Sequence, residues 1–274
     1  MRLGVSIDVE DWYMGLDLPG ASWDKRERRL HVGLDLILSI LEEHRVLATF
    51  FILGAVAEMH PEAVRAIADA GHEIASHGYS HTMVYRLSPD EFTDEIVRTD
   101  RLLADITGNK PVGFRAPYFS ITEKSLWALD ILAENGYLYD ASIYPGYNYR
   151  YGIPDAPDTL HRLPKGGLVE IPVSVMEVMG RRIGIGGAYF RLLPLWMTLR
   201  GIRKRNASGK ETILYLHPWE FDTEHPRVRL PMVSRITHYT RLSRTTPRFQ
   251  KLLSVCDASP LKELVDTFEK GESP

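Results

Sequence analysis

The sequence predicts a (β/α) barrel, either complete or lacking part of its wall. Short apolar runs alternate with segments of helical periodicity along most of the chain, as in parallel strands that are joined by helical crossovers. Six or seven such strands in one chain favour a barrel over an open sheet. The length of 274 residues is within the range that barrels fill as one domain.

The first third of the chain shows the alternation most clearly. Apolar runs predict strands at about residues 3–8, 47–53 and 72–76. Two helices connect them, of which the first is amphipathic and the second covers about 61–70 and ends at a glycine. The apolar face of the first helix contains Leu34, Ile37, Leu38 and Leu41. This part of the chain therefore reads βαβαβ.

Later elements are marked by helix-start signals. Residues 88–91, Ser-Pro-Asp-Glu, combine a capping hydroxyl, a proline at the first helical position and a glutamate three residues after the cap, and predict a helix that runs to about Gly108. Another helix is predicted from Thr122 to Gly136, and a last one begins after Pro260. Further strands are predicted at about 112–116, 138–140, 169–173 and 213–217.

Two regions interrupt this alternation. Proline and glycine cluster between residues 145 and 167, which predicts a long irregular loop near the site. Residues 183–202 are the most hydrophobic stretch, but arginines and a proline interrupt them, so we predict a covered helix, with a surface-lying membrane helix as the alternative. We expect a barrel at 1–221 and a C-terminal extension at 222–274 that packs on the same domain.

Composition excludes several function classes. The net charge of −3 gives no overall basic field of the kind that holds a protein on nucleic acid. The single cysteine, Cys256, cannot form an internal disulfide or a Cys-rich zinc site, so any metal must be held by histidines and carboxylates. No nucleotide-binding loop or serine-nucleophile elbow occurs. Because the chain begins with a strand and has no apolar signal segment, we expect a cytoplasmic protein.

The strongest candidates for chemistry follow predicted strands. His77 and His81 stand four residues apart, a spacing that lets both imidazoles face one ion, although two unrelated histidines can share it by chance. Asp8, Glu10 and Asp11 end the first strand, at the edge where parallel barrels build their active sites. Three crowded carboxylates repel one another unless a cation compensates, so these groups together suggest a metal site.

Other strand ends carry polar side chains that complete a catalytic pattern. Arg115 can hold a carboxylate by a two-pronged hydrogen bond, and the turn that follows it, at Tyr118, can point backbone N–H groups inward toward an oxyanion. His217 ends a late strand, and an aspartate such as Asp140 would orient it as a general acid.

These five motifs occur in a diagnostic order: carboxylates, the histidine pair, Arg-x-Pro-Tyr, Asp-x-Ser and Leu-x-Leu-His. In this order the chain resembles the polysaccharide deacetylases of the NodB-homology group, carbohydrate esterase family 4, over about residues 3–220. The resemblance implies a distorted (β/α) barrel of seven or eight strands, a divalent metal, and removal of the N-acetyl group from an amino sugar. The motifs lie at the ends of predicted strands, which is where parallel barrels build their active sites.

The resemblance also assigns roles. It implies Asp8 as general base, His77 and His81 as metal ligands, Arg115 as partner of the base, and His217 as general acid tuned by Asp140. The common pattern has two adjacent aspartates, whereas Val9 follows Asp8 here. A branch that includes peptidoglycan deacetylases and allantoinases points to Glu10 as the third ligand, and Asp11 is the alternative. Zinc is the default metal for such ligands, but cobalt, nickel or iron also suit them.

A narrower resemblance concerns the substrate. Residues 8–13, 217–221 and 238–239 look like the exosortase-associated deacetylases found beside exopolysaccharide gene clusters, which implies an exopolysaccharide substrate. Trp12 and Trp219 are expected to contact the glycan. A peripheral membrane contact is also compatible with the sequence. The rivals are an allantoinase-like amide hydrolase on the same barrel and a carbohydrate-binding homologue that has lost activity.

Overall fold

The computed structural model describes residues 1–16, 20–148, 150–164 and 166–271. The strands in these ranges are β1 (Arg2–Val9), β2 (Thr49–Ile52), β3 (Glu73–Ser76), β4 (Gly113–Phe114), β5 (Tyr139–Asp140), β6 (His161–Arg162), β7 (Val169–Glu170), β8 (Val175–Val178), β9 (Arg181–Gly184), β10 (Ile213–Leu216) and β11 (Asp257–Ser259). The α-helices are α1 (Leu30–His44), α2 (Gly54–Met59), α3 (Pro61–Asp69), α4 (Pro89–Thr107), α5 (Trp127–Glu134), α6 (Gly187–Leu192), α7 (Leu195–Ala207), α8 (Met232–Tyr239), α9 (Thr245–Leu253) and α10 (Leu261–Glu269).

The main sheet has the strand order β10-β1-β2-β3-β4-β5-β7-β6, and β11 pairs with the start of β1. Its pairs are parallel except for β6 with β7. The sheet curls into a half-barrel with helices around it, which confirms the predicted (β/α) architecture. A single bridge between Gly186 and Tyr215 brings the chain after β9 against β10. The parallel order places the carboxyl ends of β1, β3, β4 and β10 along one edge.

Strand β1 is central because it is buried on both faces. Leu3, Val5 and Ile7 are completely or almost completely buried on one face, and the polar Ser6 and Asp8 are buried on the other. β1 pairs with β10 on one side and β2 on the other, with Ile7 opposite both Leu216 and Phe50. The strand therefore fixes the position of the acidic segment that follows it.

The predicted helix signals are confirmed where they were strongest. In α4 the Ser88 hydroxyl accepts the N–H of Glu91 at 3.2 Å, and the Glu91 carboxylate accepts the N–H of Ser88 at 2.8 Å, which completes a capping box. The helix ends at Gly108, whose φ of 77° lies in the left-handed region. α5 begins at Trp127, five residues after Thr122, because the intervening residues form a turn that Ser125 stabilises.

The region 183–202 differs from the single helix we expected. Pro194 separates α6 from α7, and a β8–β9 hairpin precedes them. No helix of the described residues is both long enough and apolar enough to cross a membrane. Within 222–274, β11 joins the main sheet through β1, so this segment and the barrel share one sheet.

Candidate active site

The carboxyl ends of the strands surround a cavity of about 320 Å³. The residues with chemical capacity that line it are Asp8, Glu10, His77, His81, Arg191, His217 and His238. Residues outside the sheet complete the wall, among them Asn148, Arg150 and Tyr151, the turn at Tyr118, helix α6 and helix α8. Most of the side chains that the sequence singled out therefore meet in one place.

Glu10, His77 and His81 form a compact cluster that can hold a cation. Oε1 of Glu10 lies 3.2 Å from Nε2 of His77 and 2.9 Å from Nε2 of His81. One ligand atom from each residue lies within 4.8 Å of the others, and all three side chains are buried. Two imidazoles and one carboxylate that leave coordination positions open are a typical donor set for a catalytic metal.

The backbone prepares His77 for this role. Its Nδ1–H donates to the carbonyl oxygen of Arg115 at 2.7 Å, which leaves Nε2 as the ring nitrogen that faces Glu10. His81 has a φ of 58°, a left-handed conformation that is strained for a residue with a side chain and is often found at functional sites. These arrangements fit a metal better than a simple hydrogen-bonded cluster.

The charge of Glu10 is also suited to a cation. Burial alone would raise the pKa of this carboxyl, but the charge of His81 and the hydrogen bonds of both imidazoles hold the pKa well below its ordinary value. Glu10 is therefore an anion at neutral pH. A divalent ion among the three side chains would supply the compensating positive charge.

Asp11, the alternative ligand, faces away from the histidines and caps a helix. Its Oδ2 accepts the backbone N–H groups of Arg29 at 2.8 Å and Leu30 at 3.2 Å, at the start of α1. Its Oδ1 accepts the N–H of Trp12 at 2.7 Å. Burial raises the pKa of Asp11 despite these hydrogen bonds. The geometry thus places Glu10 with the histidines and gives Asp11 a structural role.

Asp8 and Arg115 form a buried ion pair beside the cluster. Nη1 of Arg115 donates to Oδ1 of Asp8 at 2.6 Å and to the Ser6 hydroxyl at 2.8 Å. The guanidinium lies over the ring of Phe51, 4.1 Å from its centroid. Since a single Arg115 nitrogen contacts a single Asp8 oxygen, the second oxygen of Asp8 stays directed toward His217.

His217 stands opposite Asp8 across the cavity. Its Nε2 lies 3.9 Å from Oδ2 of Asp8, and its Nδ1–H donates to Oε1 of Glu220 at 2.8 Å. Burial acts to lower the pKa of His217, but the hydrogen bond to Glu220 and the charges of Glu10, Glu220 and Asp8 outweigh it and raise the pKa to about 9. The imidazole is therefore protonated at neutral pH, as a proton donor must be.

Glu220 is itself held by Arg191. Nε of Arg191 donates to Oε2 of Glu220 at 2.6 Å. The two Nη atoms of Arg191 donate to the carbonyl oxygens of Thr240 at 2.7 Å and Thr237 at 2.6 Å, at the end of α8. The C-terminal segment is thereby connected through two buried side chains to His217.

Asp140 does not occupy the position next to His217 that the resemblance implied. Its Oδ1 accepts the Ser142 hydroxyl at 2.5 Å, and that hydroxyl in turn accepts the backbone N–H of Ala116 at 2.7 Å. Asp140 also neighbours Glu170, where burial and the Asp140 charge raise the pKa of Glu170. Asp140 therefore supports the chain next to Arg115, whereas Glu220 orients His217.

Some of the aromatic residues that the sequence singled out line the cavity, and others lie in the core. Trp12 is buried, and its Nε1–H donates to the carbonyl oxygen of Glu27 at 2.9 Å, so it belongs to the core and not to the cavity. Trp219 lines the cavity and stacks between His217 and His238, with centroid distances of 5.2 Å and 4.2 Å. Tyr118 also lines the cavity, and its ring contacts His81 at 4.5 Å.

Sequence reasoning missed Arg191, Glu220 and His238 as parts of the site. A signal existed for Glu220, which follows His217 by three residues and can reach back within one turn. Arg191 interrupts the most hydrophobic stretch of the chain, and a charge there is expected to be buried with a partner. Burial and neighbouring positive charges lower the pKa of His238 to about 3, so the imidazole is neutral, and its buried Nε2 has no hydrogen-bond partner among the described residues.

Two family models match successive parts of the chain. Residues 31–139 match the family model described as polysaccharide deacetylase, and residues 141–266 match a domain of unknown function, DUF3473. The chain is 32% identical to the peptidoglycan deacetylase of Helicobacter pylori over 62% of this chain and 64% of that protein. It is 41% identical to the peptidoglycan-N-acetylglucosamine deacetylase of Bacillus cereus over 34% of each chain. The chain thus spans less than two thirds of these relatives.

Solved structures show the same fold. A Mycobacterium smegmatis structure described as a polysaccharide deacetylase aligns with a TM-score of 0.67 at 23% identity, over 100% of this chain and 92% of that one. The Puue allantoinase aligns with a TM-score of 0.59 at 17% identity, over 94% and 86%. The DUF3473 domain marks the exosortase-associated subfamily. The chain thus carries a polysaccharide deacetylase domain at residues 31–139, followed by a DUF3473 domain at residues 141–266.

Proposed function

We propose that the protein is a metal-dependent polysaccharide N-deacetylase, which hydrolyses the acetamide of N-acetylated amino sugars. The observation that carries this proposal is the Glu10, His77 and His81 cluster, which lies in one cavity with the Asp8 and His217 pair. A metal site with a carboxylate on one side and a protonated imidazole on the other is an arrangement for hydrolysing an amide.

In this proposal the three cluster residues hold a divalent cation, for which zinc is the default. When bound, the ion polarises the acetamide carbonyl and lowers the pKa of a water molecule. The choice of zinc rests on the types of ligand, two histidines and one glutamate. Cobalt, nickel and iron accept the same ligands.

The proton transfers are assigned to Asp8 and His217. Asp8 accepts the proton of the attacking water through Oδ2, while Arg115 orients the carboxylate through Oδ1. His217 donates its Nε2 proton to the nitrogen of the leaving amine. Glu220 maintains the imidazolium for this step because it accepts the Nδ1–H and carries negative charge.

The developing oxyanion is assigned to the turn at Tyr118. This residue has a φ of 55° and lies against His81, so the backbone of the turn approaches the metal cluster. Trp219, whose ring stacks between His217 and His238, bounds the space that the sugar would occupy. We propose an exopolysaccharide as the substrate because the DUF3473 domain marks the exosortase-associated subfamily.

Acetate release across a set of substrates tests the proposal. The purified protein is incubated with N-acetylglucosamine oligomers, with acetylated exopolysaccharide fragments and, as the comparison, with allantoin. We expect acetate from the acetylated saccharides and no turnover of allantoin. Turnover of allantoin would favour the small-ureide alternative, and no turnover of any substrate would favour a binding protein without activity.

A further inference from the structure

The five most exposed large apolar side chains of the described residues belong to the loop after β5, the β8–β9 hairpin, α7 and α8. Tyr147, Met179, Trp196, Met232 and Val233 are between 61% and 99% exposed. Each of the other exposed large hydrophobic residues in the described ranges is below 50%. Single exposed hydrophobic residues need no explanation, but a concentration at one place indicates an interaction surface.

Two of these residues lie at the cavity or next to it in the chain. Val233 lines the cavity itself, and Tyr147 precedes Asn148, which also lines it. Trp196 lies four residues after Leu192, which also lines the cavity. Met179 forms the tip of the β8–β9 hairpin and shares a groove of about 690 Å³ with Trp196.

Hydrogen bonds attach the β8–β9 hairpin to Tyr144 and Pro145, in the loop that leads to Asn148. The carbonyl oxygen of Arg182 accepts the Tyr144 hydroxyl at 3.0 Å, and Nη1 of Arg182 donates to the carbonyl oxygen of Pro145 at 3.2 Å. Helix α8 is attached on the other side through the contacts of Arg191 with Thr237 and Thr240. The hairpin is thus attached to the loop that leads to Asn148, and α8 to the part of the cavity wall that α6 forms.

Charge is distributed very unevenly along these segments, although Arg191, Arg205 and Lys210 pair with Glu220 or Asp158, and Glu177 lines the groove beside them. Residues 178–210 contain eight Lys and Arg and no Asp or Glu, and residues 225–256 contain seven Lys and Arg and no Asp or Glu. These two segments therefore hold 15 of the 33 basic residues and none of the 36 acidic residues, in a chain whose net charge is −3. The positive charge is local and is not a property of the whole protein.

Helix α7 shows how apolar and basic side chains are combined. Trp196, Arg200 and Lys204 are spaced four residues apart, line the groove together, and are all exposed. Arg181 is exposed next to Met179 on the hairpin. Exposed apolar tips surrounded by arginine and lysine are the pattern of a surface that inserts into the interfacial region of an anionic membrane.

We infer that Met179, Trp196, Arg200 and Lys204, together with helix α8, form a surface that docks on an anionic phospholipid bilayer. An anionic glycan would also complement the charge, but glycans are bound by aromatic faces, and Met179, Met232 and Val233 are aliphatic. The docking does not depend on hydrolysis. Together with the proposed function, it would present the site to glycans that are attached to the membrane.

Vesicle co-sedimentation of the full chain tests this inference. Vesicles of phosphatidylcholine alone are compared with vesicles that contain one part phosphatidylglycerol to three parts phosphatidylcholine, at about 0.1 M salt. We expect binding to the anionic vesicles and at least tenfold weaker partitioning for Met179→Ser/Trp196→Ser and for Arg200→Glu/Lys204→Glu. Acetate release from soluble oligomers should stay unchanged in both variants, which separates docking from the proposed activity.

The matched control is Leu47→Ser/Leu138→Ser, which removes two exposed apolar side chains at the amino ends of β2 and β5, away from the mouth. This variant should bind vesicles like the unaltered protein. The inference is overturned if the protein does not sediment with anionic vesicles, or if all variants bind them equally. It is also overturned if a soluble polyuronate, and not the vesicles, binds the protein through Arg200 and Lys204.

Discussion

The Nε atom of Arg191 donates to Oε2 of Glu220 at 2.6 Å, and neither side chain is accessible to solvent. Glu220 uses its other oxygen to accept the Nδ1–H of His217. Through Glu220, Arg191 of α6 thus contributes to the orientation and charge of His217, the proposed general acid. Burying this ion pair is acceptable because each partner makes further hydrogen bonds.

Glu220→Gln should move the alkaline limit of activity to lower pH. The Glu220 charge raises the pKa of His217, so its removal lowers that pKa from about 9 toward the ordinary value of 6.5. His217 must be protonated to donate its proton, and activity therefore falls as pH rises through this pKa. The pH dependence of kcat/KM measures the shift. Asp140→Asn serves as the control and should leave the alkaline limit in place; a shift only in the Asp140 variant would contradict the assignment.

Arg191→Met should destabilise the fold strongly. Removing one partner of a buried ion pair leaves the other charge uncompensated, at a cost of about 3–5 kcal/mol. Two carbonyl groups at the end of α8 also lose their donors. Urea unfolding measures the free energy difference. A loss below about 1 kcal/mol would mean that the pair contributes little to stability.

Glu10 and Asp11 should differ in what their substitution removes. Glu10→Gln should abolish metal binding, because the amide replaces the anionic ligand between His77 and His81. Asp11→Ala should retain the metal and lower stability by roughly 1–2 kcal/mol, because α1 loses its cap. Elemental analysis and thermal unfolding of both variants provide the comparison. Loss of the metal in the Asp11 variant instead would reverse the ligand assignment.

Gly33→Ala should disturb His217 from a distance. A Cβ at Gly33 would lie 1.9 Å from the carbonyl oxygen of Pro218, so α1 could not keep its close approach to the turn after β10. Overpacking of this kind costs about 1–3 kcal/mol, and the displaced turn should lower kcat. Ser39→Ala, on the exposed side of the same helix, is the control and should be nearly neutral. Equal kcat values for the two variants would show that the turn tolerates the shift.

Local sequence patterns predicted those site residues that directly follow a strand. His77, Arg115 and His217 follow apolar runs directly, so their meeting at one edge followed from a parallel sheet. The partner of His217 depends on the turn after β10, which no periodicity reports, and the resemblance therefore pointed to Asp140. The β8–β9 hairpin was missed because charged residues interrupt its alternation.

The aromatic residues illustrate the same limit. Trp12 and Trp219 both stand next to site residues in the chain, yet one is in the core and the other lines the cavity. Their direction depends on how α1 and α8 pack, and this is a property of the tertiary structure.

Metal content measured together with acetate release tests the central claim most directly. The purified protein is analysed for bound metal and assayed on N-acetylglucosamine oligomers before chelation, after chelation, and after a divalent ion is returned. The account predicts about one ion per chain, loss of both metal and acetate release on chelation, and recovery of both on return of the ion. A His77→Ala/His81→Ala variant should show neither. Acetate release that is unchanged after complete removal of the metal would contradict the account.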